Sequence, residues 1–407
     1  MNVTDRAYAL FEEQQQVRGI DLNEVRSKLK ALRIETPSWG YGDSGTRFKV
    51  FPKTGVPRNP FEKVEDAAVV HRLTGLSPTV AIHIPWDKVE DYGKLKRHAE
   101  SLGLGIGAVN PNLFQEEDYM LGSVTNTEAA IRRKATDHLL ECVDVMKETG
   151  SRDISLWFAD GTNYPGQGDI RKRKAWMLES LRELYQALQP DMRMLIEYKS
   201  FEPAFYHTDL ADWGMAYNYA LKLGPQAEVL VDTGHHAQGT NIEHIVAYLI
   251  DEQRLGGFHF NSRKYADDDL VVGTVNPYEL FLIFYQIVLA SRDTNEGIRQ
   301  HVDNIAYMID QSHNIEQKIP AMIRSVLNVQ TQYAKALLIQ HAEIEEAQRN
   351  GDVLGAEDAV RRAFEIDVTP LLHSIREEQG LPLDPMRAYR ESGYGTQILT
   401  RGKGGAS

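Results

Sequence analysis

The sequence is short of the residues that several functional classes need. It has one cysteine, Cys142, so no disulfide can form within the chain and nothing requires an oxidising compartment. Cys142 lies in the helical pattern HLLECVDVMKE and reads as a buried structural thiol. Positive charge is in deficit: 45 Lys and Arg stand against 58 Asp and Glu, a formal net charge of −13. Nothing neutralises phosphate in bulk, which argues against nucleic-acid or anionic-membrane partners. Long apolar runs are missing too. The longest, LFLIFYQIVLA from Leu280 to Ala290, is too short to span a bilayer and reads as a buried helix. The opening MNVTDRAYALFEEQQQ has no apolar leader core. Cytoplasmic is therefore the expected location.

What is present is ordinary in bulk and distinctive in order. The 407 residues are 42% hydrophobic and 25% charged, as in a soluble globular protein. Eight strands are expected at 33–39, 79–86, 104–110, 153–160, 192–199, 227–234, 256–262 and 305–311. Most are continuous apolar runs, as strands covered on both faces require. Helical segments alternate with them, with Asn276-Pro277 a good helix entry and Thr149-Gly150 and Leu102-Gly103 good exits. Eight strands alternating with helices predict a (β/α)8 TIM barrel. It would occupy residues 31–315, after an N-terminal helical segment at 1–30. A C-terminal helical extension at 316–407 is expected to make subunit contacts. The loop from Gly40 to Pro60 is rich in Gly and Pro, and loops of such length are commonly functional.

The late strands end in metal-type ligands. MLIEYK carries Glu197 and Lys199, VLVDTGHH carries Asp232 and His235, GFHF carries His259, and IAYMID closes on Asp310. Asp267 and Asp269 follow in the loop after the third of these. Oxygen and nitrogen donors without thiolate describe a hard or borderline divalent ion. Carboxylates and imidazoles at the carboxyl ends of successive strands describe the top of a parallel barrel. Glu197 and Lys199 are two apart and so share a face, where a structural ion pair competes with a catalytic cation beside a bound carboxylate. His236 competes with His235 for the ligand role. His83 ends the second strand and could grip a sugar oxygen, transfer a proton, or fill the core. Trp39, Trp86 and Trp157 end strands one, two and four and could wall a sugar or pack the rim. A metal-dependent barrel hydrolase, of phosphodiesterase or nuclease type, would share the ligands. It would also want a basic channel, and none is evident; Arg171–Lys174 is a small basic cluster that reads as a solvated helix start.

The set EYK, VDTGHH, GFHFNSRKYADDD and MIDQSHN resembles the L-rhamnose isomerase family, in its broader-specificity forms that also act on rare aldoses such as D-allose. The resemblance runs from the ETPSWGYGDSGTRF loop to the helical tail. It implies aldose–ketose isomerisation with two divalent ions per subunit, Mn2+ preferred and Co2+, Mg2+ or Zn2+ tolerated. It implies Glu197, Asp232, His259 and Asp310 around a structural ion, and His235, Asp267 and Asp269 around a catalytic one, with Asp232 near both. Lys199 would meet the substrate's O1 and His83 its ring or oxygens. Asp267 would stand by a proton-accepting water. The resemblance further implies a homotetramer, with the Gly40–Pro60 loop covering a neighbour's pocket through Phe48 or Phe51.

Overall fold

The computed structural model describes residues 3–43, 51–202, 206–311 and 315–403. Eight parallel strands form one sheet in sequence order. They are β1 (Thr36–Pro37), β2 (Thr79–Ile84), β3 (Gly105–Pro111), β4 (Asp153–Leu156), β5 (Arg193–Glu197), β6 (Ala227–Asp232), β7 (Leu255–Phe260) and β8 (Ala306–Ile309). The sheet closes on itself beside β1: Glu35 bridges Met308 in parallel, its N–H donating to Tyr307 O at 2.8 Å and its carbonyl accepting from Ile309 N at 3.0 Å. Every expected strand is there; most are shorter than the apolar run that announced them, while β3 runs one residue past its expected end and β7 begins one residue early.

Alternation along each strand sorts side chains between the lumen and the helical jacket. On β5, Met194 and Ile196 face outward into the main core, while Arg193, Leu195 and Glu197 share the other face. The lumen is layered accordingly. At its floor Arg193 forks onto Asp153 (2.8 and 2.9 Å) and reaches Glu228 at 2.9 Å. Above lies a small apolar plug of Ala81, Ala108, Leu195, Leu230 and Met308, with Trp39. The top layer is polar: His83, Glu197, Asp232, His259 and Asp310, each two positions beyond a lumen residue on its own strand. Floor and plug close the barrel from below, so chemistry can occur only at the top.

Helix boundaries follow local rules. Asn276 caps the helix Pro277–Ala290, accepting from Glu279 N, with proline in the first turn where no N–H is needed. Gly150 ends Ala129–Thr149 with φ +76°, which costs glycine least. The helix Lys318–Ala336 packs against Pro277–Ala290 and Pro60–Thr74, and so takes the place of the helix after β8. A boundary drawn at residue 316 therefore assigns the barrel's own last outer helix to the extension. Beyond it, short helices from His341 to Glu391 lie outside the jacket, and Thr369–Glu378 packs on Val3–Val17. The tail returns to the start of the chain: Arg401 pairs with buried Asp66 at 2.9 Å, and Gly55 N donates to Gly402 O at 2.8 Å. No described helix is long and apolar enough to cross a membrane.

Candidate active site

The ends of β5 to β8 bring acidic and imidazole groups into two overlapping sets. Glu197, Asp232, His259 and Asp310 place one ligand atom each within 4.8 Å of one another. Asp232, His235 and Asp267 do the same, so Asp232 belongs to both. All except Asp310 are buried, and Asp310 is partly so. Four carboxylates here share the space with two imidazoles and the Lys199 ammonium, whose Nζ lies 2.8 Å from Asp267 Oδ2. Buried negative charge of this density demands cations.

The imidazoles respond by holding protons. Burial alone would depress His259, yet Glu197, with Asp310 and Asp232 behind it, pushes it up to about 9. Burial likewise opposes protonation of His235, and Asp232 and Asp267 outweigh it, again to about 9. Burial pushes Asp232 up to about 7, against the pull of His235 and with the help of Glu197 and Asp267. Glu197 goes the other way: burial raises it, but His259 and then His235 and Lys199 hold it below the usual carboxylate range.

These donors fit a divalent ion. His259 Nδ1 is buried 3.2 Å from Glu197 Oε2 and 3.7 Å from Asp310 Oδ2, without the geometry of a hydrogen bond to either. His235 Nδ1 faces Tyr198 O at 3.1 Å; a carbonyl can only accept, so this nitrogen carries the hydrogen. Nε2 is then the nitrogen turned to Asp232 Oδ2 (3.7 Å) and Asp267 Oδ2 (3.6 Å), the tautomer a metal-binding imidazole needs. His236, the competing histidine, instead bonds Tyr198 Oη at 2.7 Å, outside both sets. Asp269 is buried at φ +47° in the same loop but joins neither set at this spacing. Phe48 lies outside the described residues, and Phe51 is 61% exposed.

The other half of the rim is aromatic. Trp39 meets His83 edge-on at 5.5 Å, His83 stacks on Trp86 at 3.9 Å, Trp86 meets Phe114 at 6.0 Å, and Phe114 meets Trp157 at 4.8 Å. Trp157 also lies under Lys199, with Nζ 5.0 Å from its ring centre, and Trp39 Nε1 donates to Asp310 Oδ1 at 2.8 Å. Burial, with nearby Lys63 next, drops His83 well below its ordinary value, so its ring is neutral. Among the described residues, His83 Nδ1 and Trp157 Nε1 are buried without hydrogen-bond partners, which leaves polar atoms for a ligand to satisfy. Strands β1 to β4 thus supply a wall and β5 to β8 supply donors.

Several supporting residues escaped the sequence reading. Asp87 is fully buried, accepting from Lys63 Nζ at 2.7 Å, His83 N at 2.8 Å and the Ser38 hydroxyl, and so fixes the ends of β1 and β2 together. Asp160 gathers both the backbone N–H and the hydroxyl of Ser123 and of Thr125. Arg173, read from sequence as part of a solvated basic cluster, is buried against Asp209 at 2.8 Å. Asp87 stood in plain view in HIPWD, two residues past a prolyl turn; for Phe114 and Asp160 no local signal exists.

A closed eight-stranded parallel barrel with its chemistry on the carboxyl-end loops defines a class, and sequence comparison agrees with it. The chain belongs to the xylose isomerase-like TIM barrel family, which residues 74–313 match. It is similar to a probable sugar isomerase of Rhizobium meliloti, 44% identical over 386 residues covering 94% of this chain and 89% of that protein. It is also 41% identical to a probable sugar isomerase of Mesorhizobium japonicum, over 98% of this chain and 94% of the relative. Among solved structures, D-allulose 3-epimerase from Methylomonas sp. shares the fold, with a TM-score of 0.53, 15% identity, and coverage of 74% of this chain and 98% of that one.

Proposed function

We propose that this protein is a metal-dependent aldose–ketose isomerase, acting on L-rhamnose to give L-rhamnulose and on rare aldoses such as D-allose. The reading includes two divalent ions per subunit, Mn2+ preferred, and a homotetramer. One observation carries it: two buried donor sets share Asp232 and face an aromatic wall across the barrel mouth. The relatives' names as probable sugar isomerases support the same class.

Glu197, Asp232, His259 and Asp310 would hold one ion, and Asp232, His235 and Asp267, with Asp269 nearby, the second. Bound ions polarise a sugar carbonyl and acidify the neighbouring hydroxyl. The chain's own residues do the rest. The wall of Trp86, Phe114 and Trp157 takes the apolar face of the sugar and excludes water. His83, neutral, offers its buried Nδ1 edge to a hydroxyl, and so orients the open chain. Lys199, pinned by Asp267 and Trp157, puts a fixed cation where charge develops on O1 as hydrogen moves between C2 and C1. A water beside Asp267 would take the O2 proton.

An aldose panel with Mn2+, read as ketose formed, tests this. The expected result is ketose from L-rhamnose, abolished by EDTA. Formation of an epimeric ketose from a ketose, with no aldose at any time, would replace this reading with epimerisation. Cleavage of a phosphodiester to a phosphomonoester and an alcohol would replace it with hydrolysis.

A further inference from the structure

We propose that Asn261 is a positioning residue for Asp232, its side-chain amide fixing the one carboxylate that both donor sets share. The inference rests on the metal-binding reading above. Asn261 is the first residue after β7 and is 5% exposed; Asp232 ends β6 and is fully buried. Asn261 Nδ2 stands 3.0 Å from Asp232 Oδ1 and 3.2 Å from Oδ2, and Gly234 N donates to Oδ1 at 2.6 Å. A carboxylate offers about four lone-pair sites. The Asn261 amide from the β7 side and the Gly234 N–H from the loop after β6 engage part of them and fix the plane of the group. Oδ2 still lies 3.7 Å from His235 Nε2, and the carboxylate keeps an oxygen within 4.8 Å of the ligand atoms of each set. A carboxyl free to rotate about its last bond could serve one set only by leaving the other.

The chain is built to keep that amide in place. Thr233 N donates to His259 O at 3.0 Å, and the Thr233 hydroxyl accepts from Asn261 N and donates to Asn261 O, both at 3.0 Å. This stitch joins the ends of β6 and β7 through the backbone of Asn261; its side chain touches the stitch only through a 3.4 Å contact. Arg263 Nη1 ties Thr233 O to Glu279 behind it. A Cβ at position 234 would lie 2.6 Å from Asn261 Oδ1 and from Asp267 Oδ1, so glycine there admits both side chains. Backbone stitch and amide are separable, which makes the proposal testable.

Mn2+ binding to the full-length protein is measured by the electron paramagnetic resonance of free Mn2+, alongside the melting temperature of the metal-free protein. Asn261→Leu keeps the volume and removes the donor; Thr233→Val removes the stitch and keeps the amide. The expected result is a loss of Mn2+ affinity of about tenfold or more for Asn261→Leu, larger than that of Thr233→Val. Thr233→Val should instead lower the melting temperature. A smaller loss for Asn261→Leu, or an equal loss in both variants, overturns the proposal. If Asn261→Leu does not fold, Asn261→Ala is held to the same threshold. Wild-type protein that takes up no Mn2+ would remove the metal reading itself, an outcome distinct from failure of the variant alone.

Discussion

Lys199 and His235 separate two kinds of failure. Lys199 touches Asp267 and the Trp157 ring but belongs to neither donor set, so Lys199→Met should keep the bound-metal content and lower turnover by about 100-fold or more. Metal analysis beside a ketose assay checks both halves, and unchanged turnover would remove the assigned role. His235 is a member of the smaller set. His235→Asn should weaken one class of Mn2+ site by roughly 10- to 100-fold and spare the other; full occupancy at low Mn2+ would contradict it. At this scale the sequence was legible wherever a donor ends an apolar run. Glu197, Asp232 and Asp310 do so because strand alternation turns the residue two past a plug position into the lumen, and His259 stands in the same register two past Gly257. It was mute where the chain leaves the strand. Asp269 adopts a left-handed backbone that no alternation rule places, and the choice between His235 and His236 depends on whether Tyr198 offers its carbonyl or its hydroxyl.

Among elements, the weakest joint is the closure between β8 and β1, since β1 has two residues. Glu35 holds that joint with its backbone, and its side chain crosses to β2 and β3, accepting from Thr79 Oγ1 at 2.8 Å and Ala108 N at 2.9 Å. A Cβ at position 107 would fall 1.7 Å from Glu35 Oε2. Gly107→Ala should therefore expel the carboxylate from its two donors and destabilise the fold by about 1–3 kcal/mol, read by urea unfolding. A change below about 0.5 kcal/mol, the scatter of neutral surface substitutions, would show that Glu35 does not brace the seam. Strands were readable as elements because continuous apolar runs bounded by turn residues leave few alternatives. The helix Lys318–Ala336 was recognised as a helix but not as part of the jacket. The amphipathic pattern runs on past it with little punctuation, and only packing against the helices after β1 and β7 shows where the barrel ends.

At the scale of the whole molecule, the densest buried charge gathers at the barrel mouth, and pH should expose it. An imidazole whose folded value is above its free one stabilises the fold fully below its free pKa and loses that contribution as pH rises through the folded one. For His235 and His259 that window runs from 6.5 to about 9. Asp232, raised from 3.8 to about 7, works in the same direction, its contribution fading as pH climbs through 7. Metal-stripped protein should thus melt at falling temperature from pH 6.5 to 9 in scanning calorimetry. Mn2+ should abolish the slope by taking the protons' place, with affinity increasing over the same range. A stripped protein with a flat profile would mean that the imidazoles are not held charged by their neighbours.

Because grip comes from the loops after β1 to β4 and charge from those after β5 to β8, the two tasks can vary apart. Exchange of Trp86 or Phe114 at the near rim reshapes which sugar fits and leaves the ion-holding groups on the far one in place, whereas Trp39 is tied to Asp310 by its own hydrogen bond. A barrel so divided can acquire new substrates by editing half its mouth, and can keep the same chemistry while it does.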